Sequence, residues 1–266
     1  MPERIAFAGR DWDVYDISQR LSNETATHEP MPHSIEYTEH VEAGPQIEER
    51  FGIKANWWPR GEGWAYERVT LTTHSGTHID APYHYAPSTA EGGEPLRIDE
   101  VPLQWVMGDG FLLEMTDIDR RAGITEADVR AELERIGYEP KDNDICLVRT
   151  DTSRRYGEAG YDQSHPGLRK DATRWLIEHG VRLIGIDAWG IDRPLELMVE
   201  DAAAGDTDQL WESHKLGAEL PYSQIEKLDN LAQLPRPHGF QVLALPVSIE
   251  KASAAWARVV AMFEVT

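Results

Sequence analysis

Six apolar runs, β-branched or alternating and bounded by Gly, Pro or Asp, predict strands: 64–73 (WAYERVTLTT), 110–115 (GFLLEM), 144–150 (DICLVRT), 181–187 (VRLIGID), 240–247 (FQVLALPV) and 257–265 (ARVVAMFEV). Two helices are expected between them. The segment 125–137 opens with Thr125 three residues ahead of Asp128, a capping pattern, and closes at Gly137. The segment 168–180 places Leu168, Ala172, Trp175 and Leu176 on one face and stops at Gly180. Strands alternating with helices imply an α/β fold with at least one partly parallel sheet. The first sixty or so residues look different, polar and irregular, and Trp57, Trp58 and Trp64 crowd into a Gly/Pro-containing loop. Those tryptophans would either seal the outside of the sheet or serve a functional loop.

The chain of 266 residues is long enough to bury a substantial core and is read as a single domain over 1–266, with no internal repeat or low-complexity stretch. No apolar run reaches the roughly 20 residues needed to cross a bilayer. The opening MPERIAFAGRDWDVYDIS lacks the apolar core of a secretory signal, so the cytoplasm is the expected compartment. A formal charge of −21 repels nucleic acid and anionic membranes, and neither is an expected partner. Cys146 is the only cysteine, set among apolar neighbours, which excludes an intrachain disulfide or a multi-thiolate zinc site. Any metal site must then use imidazole and carboxylate.

The stretch THSGTHIDAPYH, residues 73–84, supplies that chemistry, with three of the chain's ten histidines and an aspartate. His74 and His78 are spaced for one helix face, but the preceding VTLTT is β-forming and Gly76 disfavours a helix by about 1 kcal/mol. A strand running into a tight turn is expected, with Asp80 and His84 brought round to the same point and Pro82 stiffening the backbone between them. Two imidazoles and a carboxylate suit Zn²⁺ or Mn²⁺ with a position left for water, and hydrolysis is the natural reaction class. A polar turn with imidazoles bonded to backbone is the alternative.

The pattern H-x-G-T-H-x-D-x-P-x-H, here His74, Gly76, Thr77, His78, Asp80, Pro82 and His84, resembles the metal-dependent cyclase-like hydrolases, a family that includes bacterial kynurenine formamidases and isatin hydrolases. YDISQRLSNET near residue 15, the segment from RTDTSRRYG through YDQSHPGLRKDATRWLIEHGVRLIGIDAWGID, and SHKLGAELPYSQIEKLDNL extend the resemblance to most of the chain. It implies a swivelling β/β/α domain with a mixed sheet flanked by helices, assembled as a homodimer or homotetramer. It implies that His74, His78 and Asp80 hold a first divalent metal, Zn²⁺ or Mn²⁺. His84, His214 and Glu226 would complete a second site or act as acid and base, with Asp80 bridging if two ions bind. One departure stands out: Thr150, Asp151 and Thr152 replace the T-G-W of many members, and the Trp57 loop would then supply an aromatic wall.

The implied activity is cleavage of a small amide, an aryl formamide or a cyclic amide such as isatin, by metal-activated water. A lactone hydrolase or cyclase, or a metal- or ligand-binding protein without turnover, are the alternatives. Among the other histidines, His165 is expected to cap the helix after it, and His179 to sit at a helix C-terminus. His28, His33 and His40 could line a pocket but are not counted among its residues. Asp187, closing a strand, is a candidate to orient a metal-binding His.

Overall fold

The computed structural model describes residues 2–27 and 29–265, so His28 lies outside the described residues. Along the chain come β1 (Glu3–Phe7), β2 (Arg10–Asp16), β3 (Ser34–Thr38), α1 (His40–Phe51), β4 (Tyr66–Thr70), β5 (His78–Asp80), the one-turn α2 (Leu103–Val106) and β6 (Met107–Glu114). Next are α3 (Glu126–Ile136), β7 (Ile145–Arg149), α4 (Lys170–Glu178), β8 (Leu183–Ile186), α5 (Leu195–Ala203), α6 (Glu212–Glu219), β9 (Ser223–Glu226), β10 (His238–Leu243), β11 (Ala254–Trp256) and β12 (Val260–Glu264). Ten strands form one mixed sheet in the order β1-β2-β12-β10-β6-β7-β8-β9-β5-β11, with β6 to β9 parallel and the rest antiparallel. This mixed sheet flanked by helices is the expected α/β class.

The parallel strands are buried on both faces, which is why they read as unbroken apolar runs. Phe111, Leu113, Cys146, Val148, Ile184 and Ile186 face one way, onto Val129 and Leu133 of α3, Leu176 and Ile177 of α4 and Leu216 of α6. Leu112, Ile145, Leu147 and Leu183 face the other, where Ile17, Ile79, Phe240 and Phe263 join them from both wings of the sheet. The wings meet because Ile17 just beyond β2 bonds Val259 on one side and Asp229, past β9, on the other. Each Leu or Ile side chain buried in these layers contributes roughly 1.5–3 kcal/mol.

Both expected helices form where their caps stand. Thr125 Oγ1 accepts the Asp128 N–H while the Asp128 carboxylate accepts the Thr125 N–H, and Gly137 closes α3 in the left-handed region at φ 67°. The expected 64–73 strand is shorter, β4, and pairs with β3 in a separate two-stranded antiparallel sheet. The N-terminal sixty residues are less irregular than expected, since β1, β2, β3 and α1 lie there. Helix α1 is disguised by Pro45 in its middle and by charged residues round most of its surface.

Candidate metal centre

Strand register assembles the centre. In the antiparallel β5/β9 pair His78 stands opposite Glu226 and Asp80 opposite Gln224. The two-residue period of a strand puts Asp80 on the same face as His78, while Ile79 points into the core. Upstream, the turn carrying His74 is closed by Gly76 at φ +59°, where a side chain would be strained. Downstream, Pro82 starts a single 3₁₀ turn that ends at His84, whose N–H bonds the Ala81 carbonyl at 2.8 Å. Helix α6 brings in His214. It lies close because Gly217 has no side chain: a Cβ there would meet the Tyr85 ring at 2.1 Å. Glu226 ends β9, one of the parallel strands, and the centre sits beyond their carboxyl ends, as ligand sites in such sheets do.

The donor atoms converge. His74 Nδ1 lies 2.8 Å and His78 Nε2 3.3 Å from the same Asp80 oxygen, Oδ1. Glu226 Oε2 is 3.6 Å from His78 Nε2, and its Oε1 is 4.0 Å from His214 Nε2. The His74 and His84 ring centroids are 4.2 Å apart. Ligand atoms of His74, His78 and Asp80 lie within 4.8 Å of one another, and so do those of Asp80, His84 and His214. His78 Nδ1 bonds the Gly76 carbonyl and His74 Nε2 meets Ser253 Oγ, so each ring turns its other nitrogen inward. His78 Nε2 and both Asp80 oxygens are nevertheless buried without a hydrogen-bond partner. Buried lone pairs left unmatched in this way cost free energy unless a cation satisfies them, and a divalent metal fits all three at once. Asp80 belongs to both groups of donors and would be shared between them if two ions bind.

Electrostatics follow from the same packing. Burial pushes Asp80 towards protonation, but the His78, His74 and His84 imidazoles outweigh it and hold the carboxyl well below its ordinary range. Burial and the nearby Asp80 charge raise Glu226. Partial desolvation, reinforced by the neighbouring His74, His214 and His78, pushes His84 down to about 4 although one side of the residue is exposed to the cavity. Burial also pulls His214 down, but its hydrogen bond to Asp192 and the charges of Asp192, Glu226 and Asp80 lift it to about 9.

Asp192 is the residue that spacing did not single out. Its Oδ2 lies 2.5 Å from His214 Nδ1 and accepts the His214 N–H, while Oδ1 accepts the Ser213 N–H. One carboxylate thus meets the positive end of α6 and fixes the His214 ring with Nε2 facing Glu226. Asp187, expected in that role, instead accepts the N–H groups of Thr150 and Asp151 and the Thr150 hydroxyl. A visible hint was the second acid of GIDAWGID, past the strand end.

A cavity of about 380 Å³ opens on the centre, walled by Trp189, Trp211, Tyr85, Met31 and Met198. Trp211 holds a left-handed backbone, φ 48°, an uncommon conformation for so bulky a residue. Trp57, Trp58 and Trp64 neither border this cavity nor plug the main sheet: Trp64 packs on Trp58 and Phe51, and Trp57 is 66% exposed. Thr150, Asp151 and Thr152 do not border it either. Asp151 takes a left-handed turn, φ 61°, and pairs with Arg149 and Arg154. His165 does not cap α4, whose N-cap is Arg169. It is buried at the cavity wall, its Nε2 donating to the Asp192 carbonyl. His33 and His40 bond backbone carbonyls elsewhere, and His179 does sit at the end of α4, stacked on Trp175.

Known proteins share this arrangement of chain. A kynurenine formamidase of Bacillus cereus (strain ATCC 10987 / NRS 248) is 25% identical over 248 residues, 92% of this chain and 95% of that one. The fold matches isatin hydrolase A from Ralstonia solanacearum with a TM-score of 0.73 at 24% identity, over 95% of this chain and 92% of that one. It also matches a structure described as a potential metal-dependent hydrolase with cyclase activity, with a TM-score of 0.64 at 23% identity over 96% and 100% of the two chains. The family described as "Putative cyclase" matches residues 15–193, which run from the end of β2 through the ligand turn to Arg193, just past Asp192. The chain belongs to this cyclase family.

Proposed function

We propose that this protein is a metal-dependent hydrolase that cleaves the C–N bond of a small amide, an aryl formamide or a cyclic amide such as isatin. The observation that carries the reading is the convergence of donor atoms of His74, His78 and Asp80 beside an aromatic-walled cavity, those of His78 and Asp80 being buried without a hydrogen-bond partner. Relatives that act as kynurenine formamidase, and neighbours that act on isatin, support the substrate class. His74, His78 and Asp80 would hold a first ion, with Asp80, His84, His214 and Glu226 available for a second. The mixed imidazole and carboxylate donors suit Zn²⁺ or Mn²⁺. A bound ion would supply a nucleophilic water near neutral pH and polarise the amide carbonyl.

The chain's own groups do the rest. Trp189 and Trp211 provide faces against which a flat substrate lies. With a single ion bound, His84 would be free to accept a proton from the attacking water, and Glu226, raised by burial and the Asp80 charge, to pass it to the departing nitrogen. Asp192 holds the His214 Nδ1 proton and so keeps Nε2 directed at the reacting centre. Residues 1–266 are proposed to act as one catalytic domain in the cytoplasm. No helix among the described residues is long and apolar enough to cross a membrane. Exposed Val41, Phe51 and Trp57 around α1 support a homodimer or homotetramer, which light scattering on the purified protein would test.

The test of the activity is a panel of formanilide and isatin, which are uncharged, beside N-formylkynurenine, which carries a carboxylate, with the ester counterpart of each amide, assayed with protein stripped of metal and reloaded with Zn²⁺ or Mn²⁺. Metal-dependent turnover of an amide is expected. Absence of turnover on every amide with fully loaded protein would refute the reading.

A further inference from the structure

Beside the metal centre the cavity wall contains a carboxylate held by a built set of donors. Lys227 Nζ donates to both oxygens of Glu29, at 2.9 and 2.8 Å, and Trp189 Nε1 donates to Glu29 Oε2 at 3.3 Å. The Lys227 and Glu29 side chains are only 4% and 8% exposed, and all three residues border the cavity. The donors stand on the rigid part of the fold. Lys227 directly follows Glu226 at the end of β9, in a left-handed conformation, φ 59°, and its backbone is held by Ala188 through the N–H and by the Thr77 hydroxyl through the carbonyl. Trp189 follows β8. The acceptor comes from elsewhere: Glu29, Pro30 and Met31 all border the cavity and lie outside any helix or strand.

The other cations at this cavity are turned to partners of their own, Arg193 to Asp201 and the Arg121 carbonyl, Lys215 to the Thr207 carbonyl. Among the described cations bordering the cavity, Lys227 presents its ammonium to a carboxylate from a distant segment, with a longer contact of 3.5 Å to the His74 carbonyl. Ammonium and indole N–H together satisfy both oxygens of one carboxylate, and a second carboxylate arriving there would meet the charge of the first.

We propose that Glu29 is a specificity determinant: it fills, with its own side chain, a carboxylate cradle formed by Lys227 and Trp189, and so reserves the cavity for uncharged aromatic amides and bars those that carry a carboxylate at that end. The inference rests on the hydrolase reading for what counts as substrate. The binding experiment that tests it does not require turnover.

Benzoate and benzamide, alike in shape and different in charge, are titrated calorimetrically into full-length protein with its metal in place. Glu29→Gln is expected to bind benzoate at least about tenfold more tightly than wild type, as a charge-assisted pair with Lys227 should, with benzamide unchanged. Adding Lys227→Met to Glu29→Gln is expected to abolish that gain, and the same titrations on metal-stripped protein, where the gain should persist, separate the cradle from benzoate held by the metal. Glu29→Ala repeats the comparison if the glutamine variant does not fold. Either variant, shown folded by its thermal transition, that binds benzoate no better than wild type would overturn the proposal, as would a gain that survives Lys227→Met.

Discussion

Asp192 Oδ2 lies 2.5 Å from His214 Nδ1 and also accepts the backbone N–H of the same histidine. Substituting Asp192→Asn keeps the volume but places an amide where a carboxylate fixed the ring and its tautomer. Metal affinity is expected to fall about 10- to 100-fold, with kcat reduced in parallel, because His214 Nε2 is no longer held towards Glu226. Competition with a chelator of known affinity measures the loss. Unchanged affinity in a folded Asp192→Asn variant would show that the contact serves α6 alone.

Gly217 gives a packing test of the same helix. A methyl group there would sit 2.1 Å from a Tyr85 ring carbon, so α6 or the ring must move. Gly217→Ala is expected to lower stability by about 1–3 kcal/mol, the usual cost of overpacking. It should also lower turnover, since α6 carries His214. Denaturant unfolding and a rate assay report the two effects separately.

His165 predicts a pH dependence of stability. Burial of the nearly solvent-free ring pushes its pKa down from 6.5 to about 4, outweighing the hydrogen bond to the Asp192 carbonyl, which acts the other way. The unfolded chain therefore takes up a proton below 6.5 that the folded protein refuses until about 4. Stability from this residue is full above pH 6.5 and is lost as pH falls through that window, by about 3 kcal/mol in all. Metal-free wild type should lose stability more steeply between these pH values than His165→Gln. Parallel curves for the two proteins would contradict the assignment.

Much of the fold was legible because the buried parallel strands write themselves as apolar runs: Phe111–Leu113, Ile145–Val148 and Leu183–Ile186 all fall inside expected strands. The caps of α3, Thr125 and Gly137, were equally plain. The ligand turn was visible too, since His74, His78, Asp80 and His84 are close in sequence. Glu226 is different. It was reached only through the resemblance of its segment to the family, since nothing local marks a glutamate at the end of a four-residue strand and only the β5/β9 register brings it opposite His78. Asp192 and Glu29 sit in irregular backbone with no periodicity to read, and their roles come from what they touch across the cavity. Helix α1 was missed because Pro45 and its charged surface obscure the helical period.

The most direct test of the metal centre is elemental analysis of full-length protein, wild type beside His78→Ala and Asp80→Ala. Wild type should carry Zn or Mn at one or two ions per chain, a ratio near two placing His84 and His214 among the ligands. Both variants, shown folded, should lose the metal together with amide hydrolysis, because each removes donor atoms that are buried and otherwise unmatched. Folded variants that kept both their metal and their turnover would contradict the assignment of His78 and Asp80 as ligands.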